Sequence, residues 1–156
     1  MNTQAATVDK ATDYTDWFLI AAPIDAVYEA LATPAGIRSW WVVDVKGGEG
    51  GAGETMRLTW PRGGFTELRI DRLQRPGAVE WTCTACHVEG FEPPDEWVGT
   101  RICFALSEIA GGTRLELVHH GLAALDCIEL CEAGWSFHLR TSLRGLLERG
   151  EGQPKG

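Results

Sequence analysis

Nowhere in the 156-residue chain do eighteen apolar residues run together, which excludes a membrane-spanning helix of ordinary length. The opening MNTQAATVDKATDYTDW lacks a basic stretch followed by an apolar core, so no export signal is expected and the protein is read as cytoplasmic. Basic residues are scarce: 14 Lys and Arg stand against 22 Asp and Glu, a net charge of −8. Such a surface repels phosphate backbones and anionic headgroups, so neither nucleic acid nor a membrane is an expected partner. The chemistry-bearing signatures are missing too. There is no G-x-S-x-G elbow, no P-loop, no H-E-x-x-H and no G-x-G-x-x-G. The loop GGEGGAG at 47–53 lacks the Lys and the following helix that a phosphate site needs. No repeat of 20 to 50 residues and no low-complexity block occurs.

The five cysteines are an odd number without a secretion signal, which suits reduced thiols. Cys83-Thr84-Ala85-Cys86-His87 spells the attachment motif of c-type haem. On a continuous strand, however, Cys83 and Cys86 stand three steps apart, about 10 Å, and point to opposite faces. One buried and one surface thiol are expected, and no cofactor. Cys127 and Cys131, four apart, share a helix face, but His119-His120 or His87 would have to complete a zinc tetrahedron by tertiary accident. No metal is expected, and Cys131 is read as a small core residue.

What is present is a 44% hydrophobic content with seven Trp, enough for one domain with a sizeable core. The ends, residues 1–12 and 150–156, are polar and read as flexible tails around a domain at 13–149. YTDWFLI reads as a strand, and APIDAVYEALATP as a short helix with Ile24, Val27, Tyr28 and Leu31 on one face. A second short helix ends at Trp40-Trp41. Period-2 alternation then runs through GETMRLTW, FTELRIDRL and AVEWTCTA. From Trp97 to Ile109 it turns Val98, Thr100, Ile102, Phe104 and Leu106 inward, Gly111-Gly112 makes a hairpin turn, and TRLELVHH pairs back. Last, Ile128, Cys131, Trp135, Leu139, Ser142 and Leu146 form one face of a helix of about 30 Å. The order specifies an α+β fold with a curved antiparallel sheet wrapped around the C-terminal helix.

Residues FLIAAPIDAVYEALATP at 18–34, IRSWW at 37–41, GTRLELVHHGL at 112–122 and EAGWSFHLRTSLRGLLE at 132–148 carry a resemblance, in this order, to the SRPBCC helix-grip superfamily. That superfamily includes START domains, Bet v 1-like proteins and polyketide cyclases, and the chain most resembles its activator of heat-shock protein 90 ATPase-like branch. The resemblance implies a cavity for hydrophobic ligands between sheet and final helix, with Trp40 and Trp41 at its entrance, one as lid and one as core.

Trp41, Trp60, Trp81, Thr100, Phe104, His119, Trp135 and His138 are the candidate ligand-binding residues. The tryptophans offer flat apolar walls, each with an N–H that can anchor a ligand oxygen. His119 alternates with Leu115 and Leu117 and so faces the cavity, unlike His120. His138 lies beside the helix stripe. Glu67, Asp71, Glu80, Glu108 and Glu116 fall at solvated positions, leaving no inward carboxylate. Binding of a small hydrophobic or aromatic molecule is therefore the first expectation. A cofactor-free cyclase or hydrolase, using His119 or His138 as acid or base, is the alternative. The resemblance adds a chaperone partner as a third reading, and a homodimer is left open.

Overall fold

The computed structural model describes residues 12–156, so residues 1–11 of the expected N-terminal tail lie outside the described residues. The chain begins with strand β1 (Tyr14–Ile20), helices α1 (Ile24–Ala32) and α2 (Pro34–Arg38), and a three-residue strand β2 (Asp44–Lys46). Strands β3 (Thr55–Thr59), β4 (Gly64–Gln74), β5 (Ala78–Val88), β6 (Arg101–Ile109) and β7 (Gly112–His120) follow. The C-terminal helix is made of α3 (Ile128–Trp135), a π-helical segment Ser136–Leu143 and α4 (Arg144–Arg149). The seven strands form one sheet in the order β1-β7-β6-β5-β4-β3-β2, every neighbouring pair antiparallel. Among the described residues no helix is long and apolar enough to cross a membrane.

Local chemistry explains the layout. Pro23 at the N-cap of α1 has a backbone fit for a helix start, and Val27, Tyr28 and Leu31 are buried on the face the spacing predicts. Thr33 ends α1 and caps α2, its hydroxyl accepting from the Gly36 N–H at 3.0 Å. The β6–β7 hairpin turns at Gly111, whose φ of 85° is open to glycine at no steric cost.

Three local departures from regular geometry shape the cavity. First, β5 is bulged. Glu67 pairs with Ala85 but Leu68 pairs with Cys83, leaving Thr84 as an extra residue. The bulge reverses the alternation, so Cys83 and Cys86 are both buried, and the expectation of one buried and one surface thiol is corrected. Second, β6 begins only at Arg101. The preceding turns bury Trp97 and leave Val98 47% exposed, the opposite of the inward Val98 that a strand from Trp97 would give.

Third, the last helix widens into i→i+5 bonding at its centre, with the Arg144 N–H reaching the Leu139 carbonyl. Arg140 within this segment grips the Asp16 carboxylate of β1 through two bonds of 3.0 and 2.7 Å, tying the helix to the edge strand. Residues 150–156, expected as a loose tail, fold back instead. The Lys155 N–H donates to the Trp41 carbonyl and the Val43 N–H to the Lys155 carbonyl, both at 2.9 Å. The buried Ser142 hydroxyl joins the two layers, donating to the Trp40 carbonyl at 2.6 Å and accepting from the Gln153 N–H at 2.7 Å.

Candidate functional site

Between the β3–β5 end of the sheet and the C-terminal helix lies a cavity of about 210 Å³. Trp41, Trp60, Trp97 and Trp135 supply indole walls, Phe91 adds a fifth ring, and exposed Glu89 and Leu130 lie at the mouth. Trp41 is the hub of these rings, 5.2 Å from Trp135 and 6.0 Å from Trp60 between centroids. Only 2% exposed, it is an inner wall and not a lid. Its neighbour Trp40 is the core residue, fully buried with its N–H donated to the Ala30 carbonyl at 2.8 Å. Trp60 is held by a bond from its N–H to the Thr66 hydroxyl at 3.0 Å.

Behind this wall runs a polar chain sealed from solvent. The Trp135 N–H donates to His119 Nδ1 at 3.1 Å, His119 Nε2 meets the Thr100 hydroxyl at 2.9 Å, and that hydroxyl donates to the Trp97 carbonyl at 2.7 Å. Donors and acceptors match at every link only if His119 carries its proton on Nε2. Burial pushes the His119 pKa down to about 3, so the ring stays neutral. The chain fixes two cavity tryptophans from behind, which makes His119 and Thr100 positioning residues and not cavity residues.

His138 differs. It lines the cavity from the π-helical segment, its ring 6.3 Å from that of Trp41, and its buried Nδ1 has no hydrogen-bond partner among the described residues. Burial, aided by the charge of Lys155, lowers its pKa to about 4, so this ring too is neutral near pH 7.

Of the eight residues expected from the sequence, the structure brings Trp41, Trp60, Trp135 and His138 to the cavity. Trp81, Thr100, Phe104 and His119 point inward as expected but are covered by other side chains. Trp81 stacks on Trp41 at 5.8 Å, and Phe104 packs edge-on to both Trp81 and Trp135. Sequence reasoning missed Phe91, Trp97, Val88 and Thr66. Phe91 lies in a non-periodic loop, where alternation says nothing about direction, and alternation puts Trp97 on the outward side of a strand that begins only at Arg101. Their aromatic character was the one available signal. Among the described residues no group of three or more His, Cys, Asp or Glu gathers to hold a metal ion.

Comparison with known proteins places this geometry. The Aha1 dimer of Colwellia psychrerythraea is 25% identical, with a TM-score of 0.75 over 90% of this chain and 98% of that one. Protein MLL2253 of Mesorhizobium loti is 18% identical, with a TM-score of 0.74 over 89% and 98%. DynU16, a protein of the dynemicin biosynthetic locus, is 17% identical, with a TM-score of 0.66 over 90% of this chain and 48% of that one. No curated protein matches the chain. The model of the activator of Hsp90 ATPase homolog 1-like protein family matches residues 21–148, and the chain belongs to that family.

Proposed function

We propose that this protein binds a small aromatic molecule bearing a hydrogen-bond donor, in the cavity between sheet and C-terminal helix. The observation that carries the reading is four indole walls around a space of about 210 Å³ that also holds an incompletely partnered histidine. An apolar cavity of about 150 Å³ takes up benzene, so one or two fused rings fit here and a long acyl chain does not. An unpaired buried N–H is harder to tolerate than an unpaired lone pair. Neutral His138 therefore carries its proton on Nε2 and leaves its unpartnered Nδ1 as an acceptor that suits a phenolic hydroxyl.

A titration followed by tryptophan fluorescence, with one- and two-ring phenols set against fatty acids, tests the reading. Saturable quenching by the aromatics, weakened about tenfold or more in Trp60→Ala, supports it. No saturable response, or an unaltered one in the variant, overturns it. Native mass spectrometry of protein taken from its own host then names the molecule.

A cyclase-type activity in the same cavity is the second reading, favoured by His138 alone. His119 has both ring nitrogens engaged and no exposure, so it has no access to a substrate proton. An interaction role rests on a different surface: Trp17 and Leu19, 53% and 49% exposed, project from the outer face of edge strand β1. A second copy or a chaperone would meet the protein there, and Trp17→Ser would then disrupt assembly without touching the cavity.

A further inference from the structure

The wall of the cavity carries a dithiol. Cys127 and Cys131 are one helical turn apart, the Cys131 N–H donating to the Cys127 carbonyl at 2.8 Å, and their sulfurs lie 3.1 Å from each other. Cys131 lines the cavity, and its sulfur also accepts the Trp97 N–H at 3.3 Å. Both thiols are buried at the foot of α3, where Glu96 accepts the Cys127 N–H at 2.9 Å. Core packing does not require two touching sulfurs beside an open aromatic cavity.

We infer that Cys127 and Cys131 form a capture site for a soft, three-coordinate thiophilic centre attached to an aryl group, namely a trivalent arylarsenical. Three observations select this chemistry. Zinc needs at least three protein ligands, and no group of three gathers among the described residues. A direct disulfide is poorly matched to the spacing: Cβ atoms one helical turn apart lie about 5–6 Å from each other, whereas a disulfide wants about 3.5–4.5 Å. A bridging atom between the sulfurs spans that difference. The third substituent of a trivalent arsenical is its own carbon, and here an aryl carbon would enter the indole-walled cavity.

The reaction balances without an oxidant. An arylarsonous acid loses two hydroxyl groups, each thiol loses its proton, two arsenic–sulfur bonds form, two waters leave, and arsenic remains trivalent. The product is neutral, as an apolar wall requires. Burial raises the pKa of both thiols, and the reaction begins from the thiol forms that this favours. The inference uses the cavity of the proposed function but not its ligand, so the two fail separately.

The test is native mass spectrometry of the full, reduced chain with phenylarsine oxide, alongside free-thiol counting. One adduct that consumes two of the five thiols is expected. It should survive in Cys83→Ser/Cys86→Ser and fall at least about 100-fold in affinity in Cys127→Ser/Cys131→Ser. The latter variant must still bind a non-thiophilic two-ring phenol or, failing that, keep the parent circular dichroism, which separates loss of the thiols from loss of the fold. Methylarsonous acid should bind about 30-fold more weakly than the phenyl compound, the affinity equivalent of burying one ring. An adduct confined to Cys83 and Cys86, equal affinity for methyl and phenyl compounds, or retention in Cys127→Ser/Cys131→Ser would overturn the inference.

Discussion

Two histidines share one aromatic cluster and have opposite surroundings. His119 lies on β7 behind the cavity wall with both nitrogens bonded and no exposure. His138 lies on the π-helical segment at the cavity itself, with a buried nitrogen that nothing among the described residues satisfies. Buried polar groups in folded proteins are nearly always paired, so the first arrangement is what stability selects and the second needs another explanation. On the proposed reading, the difference puts function at the helix and structure at the sheet. A sealed polar chain holds the indoles still, and an unsatisfied ring lies at the cavity.

Acid is expected to have the largest effect. Both rings are held neutral in the fold, with pKa values of about 3 and about 4, while an unfolded chain takes up protons near the ordinary histidine value of 6.5. Between these limits the unfolded state binds more protons, so the stability present above about pH 6.5 is lost as pH falls. Each histidine contributes about 1.4 kcal/mol per pH unit at most, so unfolding in urea should lose up to about 4 kcal/mol between pH 6 and 4.5. His119→Leu should roughly halve that slope.

Removing the two rings one at a time sharpens the contrast at fixed pH. His119→Ala strands the Trp135 N–H in the interior, removes the donor to the Thr100 hydroxyl and leaves a hole, and should cost about 2–4 kcal/mol. His138→Leu removes only an unpartnered group and should stay within about 1 kcal/mol of the parent while weakening aromatic ligands. Denaturant melts showing the reverse order would break the comparison.

Smaller effects follow from the supports. Deleting residues 151–156 removes the bonds to Trp41, Val43 and Ser142 and should cost about 1–3 kcal/mol, with a looser cavity seen as weaker ligand binding. Trp60→Phe, which loses the bond to the buried Thr66 hydroxyl and part of the indole surface, should cost about 1–2 kcal/mol in the same melts.

The sheet was largely legible because alternation is a direct record of one buried face. Met56, Leu58, Leu68, Ile70, Ile102, Phe104, Leu115, Leu117 and His119 are all buried where period 2 puts them. Legibility ended where the period broke. The extra residue at Thr84 turned Cys86 inward, and the late start of β6 exchanged Trp97 for Val98. The widened helix kept Trp135, Leu139 and Ser142 on the expected face, yet its i→i+5 bonding has no signature in hydrophobic spacing. Half of the expected site was therefore one layer too deep. Alternation tells inside from outside, but which inward side chain borders empty space depends on the volumes of all the others.

The most direct test is a titration with a two-ring phenol followed by indole N–H resonances. Trp60, Trp97 and Trp135 should shift together and saturably, with the exposed Trp17 unmoved, and the shifts should weaken in His138→Leu. Shifts at Trp17 with the cavity indoles silent would contradict the account and move the binding surface to the outer face of β1.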